Sequence, residues 1–244
     1  MKPSKPSTTP LVVAGATAVF FLGAAYYAIS AGKEVVYAIE RIAEESPQIY
    51  IVPEKRDIGA GDDQPLIASP AITFSDMLFR VPWQGEPQET RGIRGITYAY
   101  PDGRSVTVVR KEDQEPRAVI EHIFGDGAQP VMERLASAYG PGILEDPFLF
   151  LETVLSSSPE NITFLTLQSR AETERILLLI KQDASILNEN IYAFNTRYVR
   201  GFQFGKEDDT IIAVDLFKRD GTAYSLLIKG VPQEDIDLML ASIR

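Results

Sequence analysis

His122 is the only histidine of this 244-residue chain, and the chain contains no cysteine. A Ser-His-Asp triad would have to run through His122, yet Glu121-His122-Ile123 falls in a helix-like segment with no nucleophile elbow nearby. The residue therefore reads as a partly exposed helical histidine. A multi-histidine or cysteine zinc site and a thiolate nucleophile are excluded by composition. Carboxylates are abundant. Glu207-Asp208-Asp209 sits between two predicted strands, and Asp62-Asp63 sits in a proline- and glycine-rich stretch. Calcium takes roughly six to eight oxygen ligands, but neither group has EF-hand spacing, and polar tips of this kind are usually just solvated. Gly59-Ala60-Gly61 lacks the rest of a phosphate-binding loop. Asn161-Ile162-Thr163 is a glycosylation sequon, relevant only in a host that glycosylates exported proteins.

Arg200 is the cation of most interest. Strand periodicity puts it on one face with Tyr198 and Phe202. A guanidinium there is expected to stack on an aromatic ring or to pair with a carboxylate. The alternatives are an arginine that snorkels at a strand end and a one-residue slip of register that turns it to solvent. Arg200, Tyr198 and Phe202 are the candidate ligand or partner contacts. No residue is assigned to catalysis, to a cofactor or to a metal.

The elements that must position these residues begin with an apolar one. Leu11 to Ala31 holds 21 residues and no charge. At about 1.5 Å per residue a helix of that length reaches about 31 Å, the hydrocarbon thickness of a bilayer, so a transmembrane helix is predicted. A cleaved signal peptide ending at Ala28-Ile29-Ser30 is the competing reading. Its apolar core would exceed the usual length of about 7–15 residues, and Tyr26 and Tyr27 suit a membrane interface. Lys2 and Lys5 precede the stretch, and Lys33 and Arg41 follow it, which nearly balances the positive charges. A ten-residue tail in the cytoplasm and an exported C-terminal domain is the favoured arrangement, placing the chain in the inner (plasma) membrane as a single-pass protein.

Residues 33–46 are predicted to continue as a helix, with Val35, Ile39 and Ile42 on one face. That stripe has two readings, a seam for a homodimer and a surface lying on lipid headgroups. Residues 47–70 carry four prolines and read as a linker, with Ile49 to Val52 as a short strand. The expected order is a tail (1–10), a span (11–31), a juxtamembrane helix (32–46), a linker (47–70) and a folded domain (71–244). The whole chain has a net charge of −10, and residues 33–244 alone carry 22 basic and 34 acidic side chains. This opposes nucleic acid and anionic lipid surfaces as main partners and allows a basic one.

Within the domain, Met77, Phe79, Val81 and Trp83 alternate as in a strand. Ile96, Tyr98 and Tyr100 lead into Pro101-Asp102-Gly103-Arg104, and Val106 and Val108 continue beyond, a hairpin pattern. Helices are predicted over 116–124, 130–139, from Asp146-Pro147, and from a capping box at Ser169 and Glu172. Three further strands form a predicted antiparallel meander, the first carrying Phe194, Tyr198, Phe202 and Phe204. A last helix opens at Pro232 and buries Ile236, Met239, Leu240 and Ile243. The fold class is α+β: a transmembrane helix followed by an antiparallel sheet with flanking helices.

The segments Phe79–Pro87, Thr196–Gly221 and Glu234–Arg244 resemble a family of uncharacterised bacterial membrane-anchored proteins, over roughly residues 72–244. The order of elements is similar to that of PsbP/Mog1-like domains, which implies an antiparallel sheet with helices around it and carries no function by itself. Neither resemblance supplies catalytic residues. The expected function is a non-enzymatic protein-interaction module outside the cytoplasm, with an unidentified protein partner and no cofactor. The alternative is a carboxylate-dependent enzyme or small-ligand binder, which requires a deep pocket with two or more acids of raised pKa.

Overall fold

A computed structural model of the chain describes residues 33–58, 71–111, 115–162, 168–183, 190–206 and 210–244. Ten strands are present among them. Eight form one sheet in the order β1 (Glu54–Arg56), β7 (Ile191–Asn195), β8 (Val199–Phe204), β9 (Ile212–Lys218), β10 (Ala223–Lys229), β6 (Ser105–Lys111), β5 (Gly95–Ala99), β4 (Gln88–Arg91). The remaining two, β2 (Ala71–Phe74) and β3 (Met77–Arg80), make a separate hairpin. Six α-helices accompany them: α1 (33–45), α2 (Pro116–Phe124), α3 (Ala128–Tyr139), α4 (Pro147–Ser156), α5 (Gln168–Asp183) and α6 (Gln233–Ala241).

Alternation assigns the two faces of the large sheet. Phe194, Val199, Val214, Leu216, Tyr224, Leu226, Val106, Val108 and Tyr98 point to one side. There the β2–β3 hairpin, with Phe79, the segment after it, with Val81 and Trp83, and helix α6, with Ile236, Met239 and Leu240, close over them. Ile191, Phe202, Phe217 and Ala223 point to the other side, where Phe148 and Leu155 of α4 cover them. Helices α2 to α5 build a second apolar nucleus behind α4, around Ile120, Leu135, Val154, Leu177 and Ile180. Gly201 permits the close approach of β8 to β9, since a Cβ there would lie 2.1 Å from the Asp215 carbonyl oxygen.

The β5–β6 hairpin, the α4 cap and the buried stripe of α6 match the periodicity. Asp146 accepts hydrogen bonds from the backbone of Phe148 (2.9 Å) and Leu149 (3.2 Å), with Pro147 in the first turn.

Four expectations are corrected. The sheet is mixed, because β1 runs parallel to β7 in the register Glu54–Tyr192, Lys55–Ala193, Arg56–Phe194. A strand of three charged residues has no hydrophobic alternation to reveal it; its backbone ladder joins it to β7, with the Arg56 guanidinium 5.4 Å over the Tyr192 ring and paired to Asp237 at 2.8 Å. Among the described residues no helix is long and apolar enough to cross a membrane; Leu11 to Ala31 lies outside them. The first strand of the meander is two strands. Thr196 breaks it, its backbone N–H and hydroxyl both donating to the Val199 carbonyl, so Phe194 and Phe202 end on opposite faces. Lastly, the strand expected at Ile49 to Val52 is a 3-10 turn over Pro47–Tyr50.

Residues 47–58, in the stretch read as a linker, are built into the fold. The stripe of α1 is also spent within the chain: Ile39, Ile42 and Ala43 pack with Ile49 and Leu178, leaving Tyr37 exposed.

Candidate functional site

Arg200 and Phe202 share one face of β8, as periodicity requires, and that face meets the N-terminus of α4. The Arg200 guanidinium lies 2.5 Å (Nη2 to Oδ2) from Asp146, with its carbon 4.2 Å from the centre of the Phe148 ring. Both expected partners are therefore present, a carboxylate and an aromatic face. Phe148 in turn stacks on Phe202, ring centres 5.1 Å apart, and meets Phe217 edge-on at 5.6 Å. Asp146 is already the cap of α4, so this constellation ties a helix to a strand. Tyr198 is not part of it. It sits in the β7–β8 connection, exposed, beneath Arg197 at 5.4 Å.

The ionisable groups with displaced pKa values are also engaged in packing. Asp76, in the turn of the β2–β3 hairpin, accepts from Lys218 Nζ at 2.5 Å and from the Tyr224 hydroxyl. Lys218 and then Tyr224 hold its carboxyl well below the usual range, and the contact fastens the hairpin to β9 and β10. Lys181 of α5 is fully buried. Its ammonium donates to the carbonyls of Ile51 (2.6 Å), Leu155 (2.8 Å) and Ser157 (2.6 Å). Burial pulls its pKa down to about 8. Two of those carbonyls belong to the C-terminal end of α4, where a cation complements the helix dipole.

Glu174 lies two turns earlier on the same helix. Burial pushes its carboxyl above the usual range against an opposing pull from Arg170, Ser157 and Tyr139. Burial likewise pushes Tyr139 up to about 12. One carboxylate oxygen of Glu174 is buried without a hydrogen-bond partner. Among the described residues the groups that act on its carboxyl are Arg170, Ser157 and Tyr139, none of them a second carboxylate of the kind a paired acid–base site uses.

An open site lies elsewhere, at one end of the large sheet. The β4–β5 turn, Gly92-Ile93-Arg94, is closed by the Gly92 N–H donating to the Gly95 carbonyl at 2.8 Å. Gly95 is pressed onto β6, where a Cβ would fall 2.3 Å from the Val108 carbonyl oxygen. A groove of about 500 Å³ lies between the turn, the end of β6 and the end of β2. Phe74, Ile96 and Val109 line it with half-buried apolar surface, and Arg91, Arg94, Arg110 and Lys111 line it with cations. Lys111 also pairs with Asp215 at 2.7 Å, and Arg91 approaches Glu89 at 4.0 Å. Ile93, at the tip of the turn, is fully exposed.

Sequence reasoning missed this groove because its residues come from four separate strands and a turn. The local signal was Arg91-Gly92-Ile93-Arg94-Gly95, a glycine-flanked turn with an isoleucine where turns favour small polar residues. Lys181 was missed too, though it directly follows the apolar run Ile176 to Ile180. His122 is exposed on α2, as expected. Glu207-Asp208-Asp209, Asp62-Asp63, Gly59-Ala60-Gly61 and Thr163 of the sequon lie outside the described residues. Among the described residues no group of three or more acidic, histidine or cysteine side chains is placed to hold a metal ion.

Comparison with known proteins finds no matching family model, no matching curated protein and no matching solved structure.

Proposed function

We propose that this chain is a membrane-attached, non-enzymatic protein-interaction module whose α+β domain works outside the cytoplasm. The observation that carries this reading is the groove beside the β4–β5 turn. It combines apolar surface with arginines, whose planar guanidinium groups suit directional hydrogen bonding, and among the described residues no carboxylate lines it. Displaced ionisable groups such as Asp76, Glu174 and Lys181 instead join one element to another. Membrane attachment rests on the uncharged stretch Leu11 to Ala31. Helix α1 follows that stretch in sequence and packs onto α5 as part of the domain.

The test has two parts. Reporters active on only one side of the membrane, fused after Arg244, are expected to report an exported C-terminus. A photo-crosslinking residue replacing Ile93 in the full chain in cells is expected to trap a discrete protein product, and one replacing Leu149, exposed on α4, is expected to trap none. A cytoplasmic reporter signal would reverse the orientation. Equal products from both positions, or none from either, would end the interaction reading. A product of twice the chain's mass would make the partner a second copy, as in a homodimer.

A further inference from the structure

We infer that the groove beside the β4–β5 turn binds a short acidic segment of a partner protein, one in which an apolar side chain lies between carboxylates. This rests on the reading of the chain as an interaction module and names the chemistry of what that module takes. Three arginines, Arg91, Arg94 and Arg110, line the groove together with Lys111. A guanidinium matches a carboxylate through two parallel hydrogen bonds, which an ammonium cannot reproduce. Phe74, Ile96 and Val109 supply apolar surface between the cations, enough for one aliphatic side chain rather than a bare anion. The volume, about 500 Å³, lies within the range of small-ligand sites and suits a few residues of extended chain.

Two further observations point the same way. Ile93 is fully exposed at the centre of a tight turn. Turn geometry gives no reason for a β-branched residue at such a place, whereas an apolar contact beside the groove does. The net charge of −10 opposes long-range attraction to a densely anionic bilayer or to nucleic acid. A ligand carrying only a few carboxylates meets the local cations at short range without that penalty.

The test uses the full chain in nanodiscs of neutral phosphatidylcholine. The probe is a fluorescein-labelled octapeptide of alternating Glu and Val, with an alternating Lys and Val octapeptide as control. Saturable binding by fluorescence anisotropy is expected for the Glu peptide alone, weakening as salt rises because the contacts are exposed. Arg110→Glu and Ile93→Asp are each expected to weaken it about tenfold or more, a change of about 1.4 kcal/mol. Both positions are exposed, so unchanged circular-dichroism melting would show that each variant folds. Absence of binding, equal binding of the Lys peptide, or indifference to Arg110→Glu would overturn the proposal. So would sedimentation with phosphatidylglycerol vesicles that Arg110→Glu abolishes, which would assign the groove to lipid. Crosslinks from position 93 combined with no peptide binding would end the acidic-segment assignment while leaving the interaction module standing.

Discussion

Glu174 is the residue whose chemistry conflicts most with its surroundings. Its carboxyl is buried, one oxygen lacks a partner, and its pKa lies above the ordinary value of 4.5. The native state therefore holds this proton to higher pH than the unfolded chain does. Between the unfolded and the native pKa the native state binds more protons, so stability falls as pH rises through that window and the loss is complete above it. Glu174→Gln removes the titration while keeping the shape. Its urea midpoint is expected to match that of the parent chain near pH 4 and to exceed it at pH 7. Equal midpoints at both pH values would show that the carboxylate is solvated. Lys181 has the opposite character: its three carbonyl acceptors replace the water that burial removes, so an isolated cation is held inside the helical layer.

At the scale of elements, one contact links the helical layer to the sheet where Asp146 serves two purposes. It caps α4 and receives Arg200 from β8. Loss of a cap costs about 1 kcal/mol, and an ion pair exposed by a third or more adds up to about 1 kcal/mol. Asp146→Ala is thus expected to cost about 2 kcal/mol in urea unfolding. A double-mutant cycle with Arg200→Ala should return a coupling of about 0.5–1 kcal/mol. A coupling near zero would show that the pair only decorates the surface. Neither substitution is expected to alter peptide binding at the groove, because that site is built from β2, β4, β5 and β6.

For the whole molecule, the consequential feature is that α1 belongs to the fold. Ile39 and Ile42 shield Leu178 and Ile49, both fully buried, and Gln182 of α5 donates to the Ser46 hydroxyl at 2.8 Å. Burial of one large aliphatic side chain is worth about 1.5–3 kcal/mol. A chain beginning at residue 47 is therefore expected to be less stable than one beginning at residue 33 by about 4 kcal/mol, read as a fall in urea midpoint. Equal midpoints would mean that α1 is a detachable stalk.

What the sequence determined alone is what local chemistry can encode. Composition ruled out thiol and multi-histidine sites. Period-two runs located the β5–β6 hairpin, period-three-to-four runs located α6, and Asp146-Pro147 marked the start of α4. The α+β class followed from the order of these elements. Even the carboxylate and ring around Arg200 were foreseeable, because a cation on an apolar strand face needs them. Tertiary structure alone decided the rest. The parallel pairing of β1 is stabilised by backbone groups that every sequence shares. The division of Phe194 from Phe202 hangs on the hydrogen bonds of Thr196. The groove gathers cations from β4, β6 and the β4–β5 turn around apolar side chains of β2, β5 and β6. Separations of that kind along the chain leave no periodic trace, since the contacts form only once the sheet has closed its register.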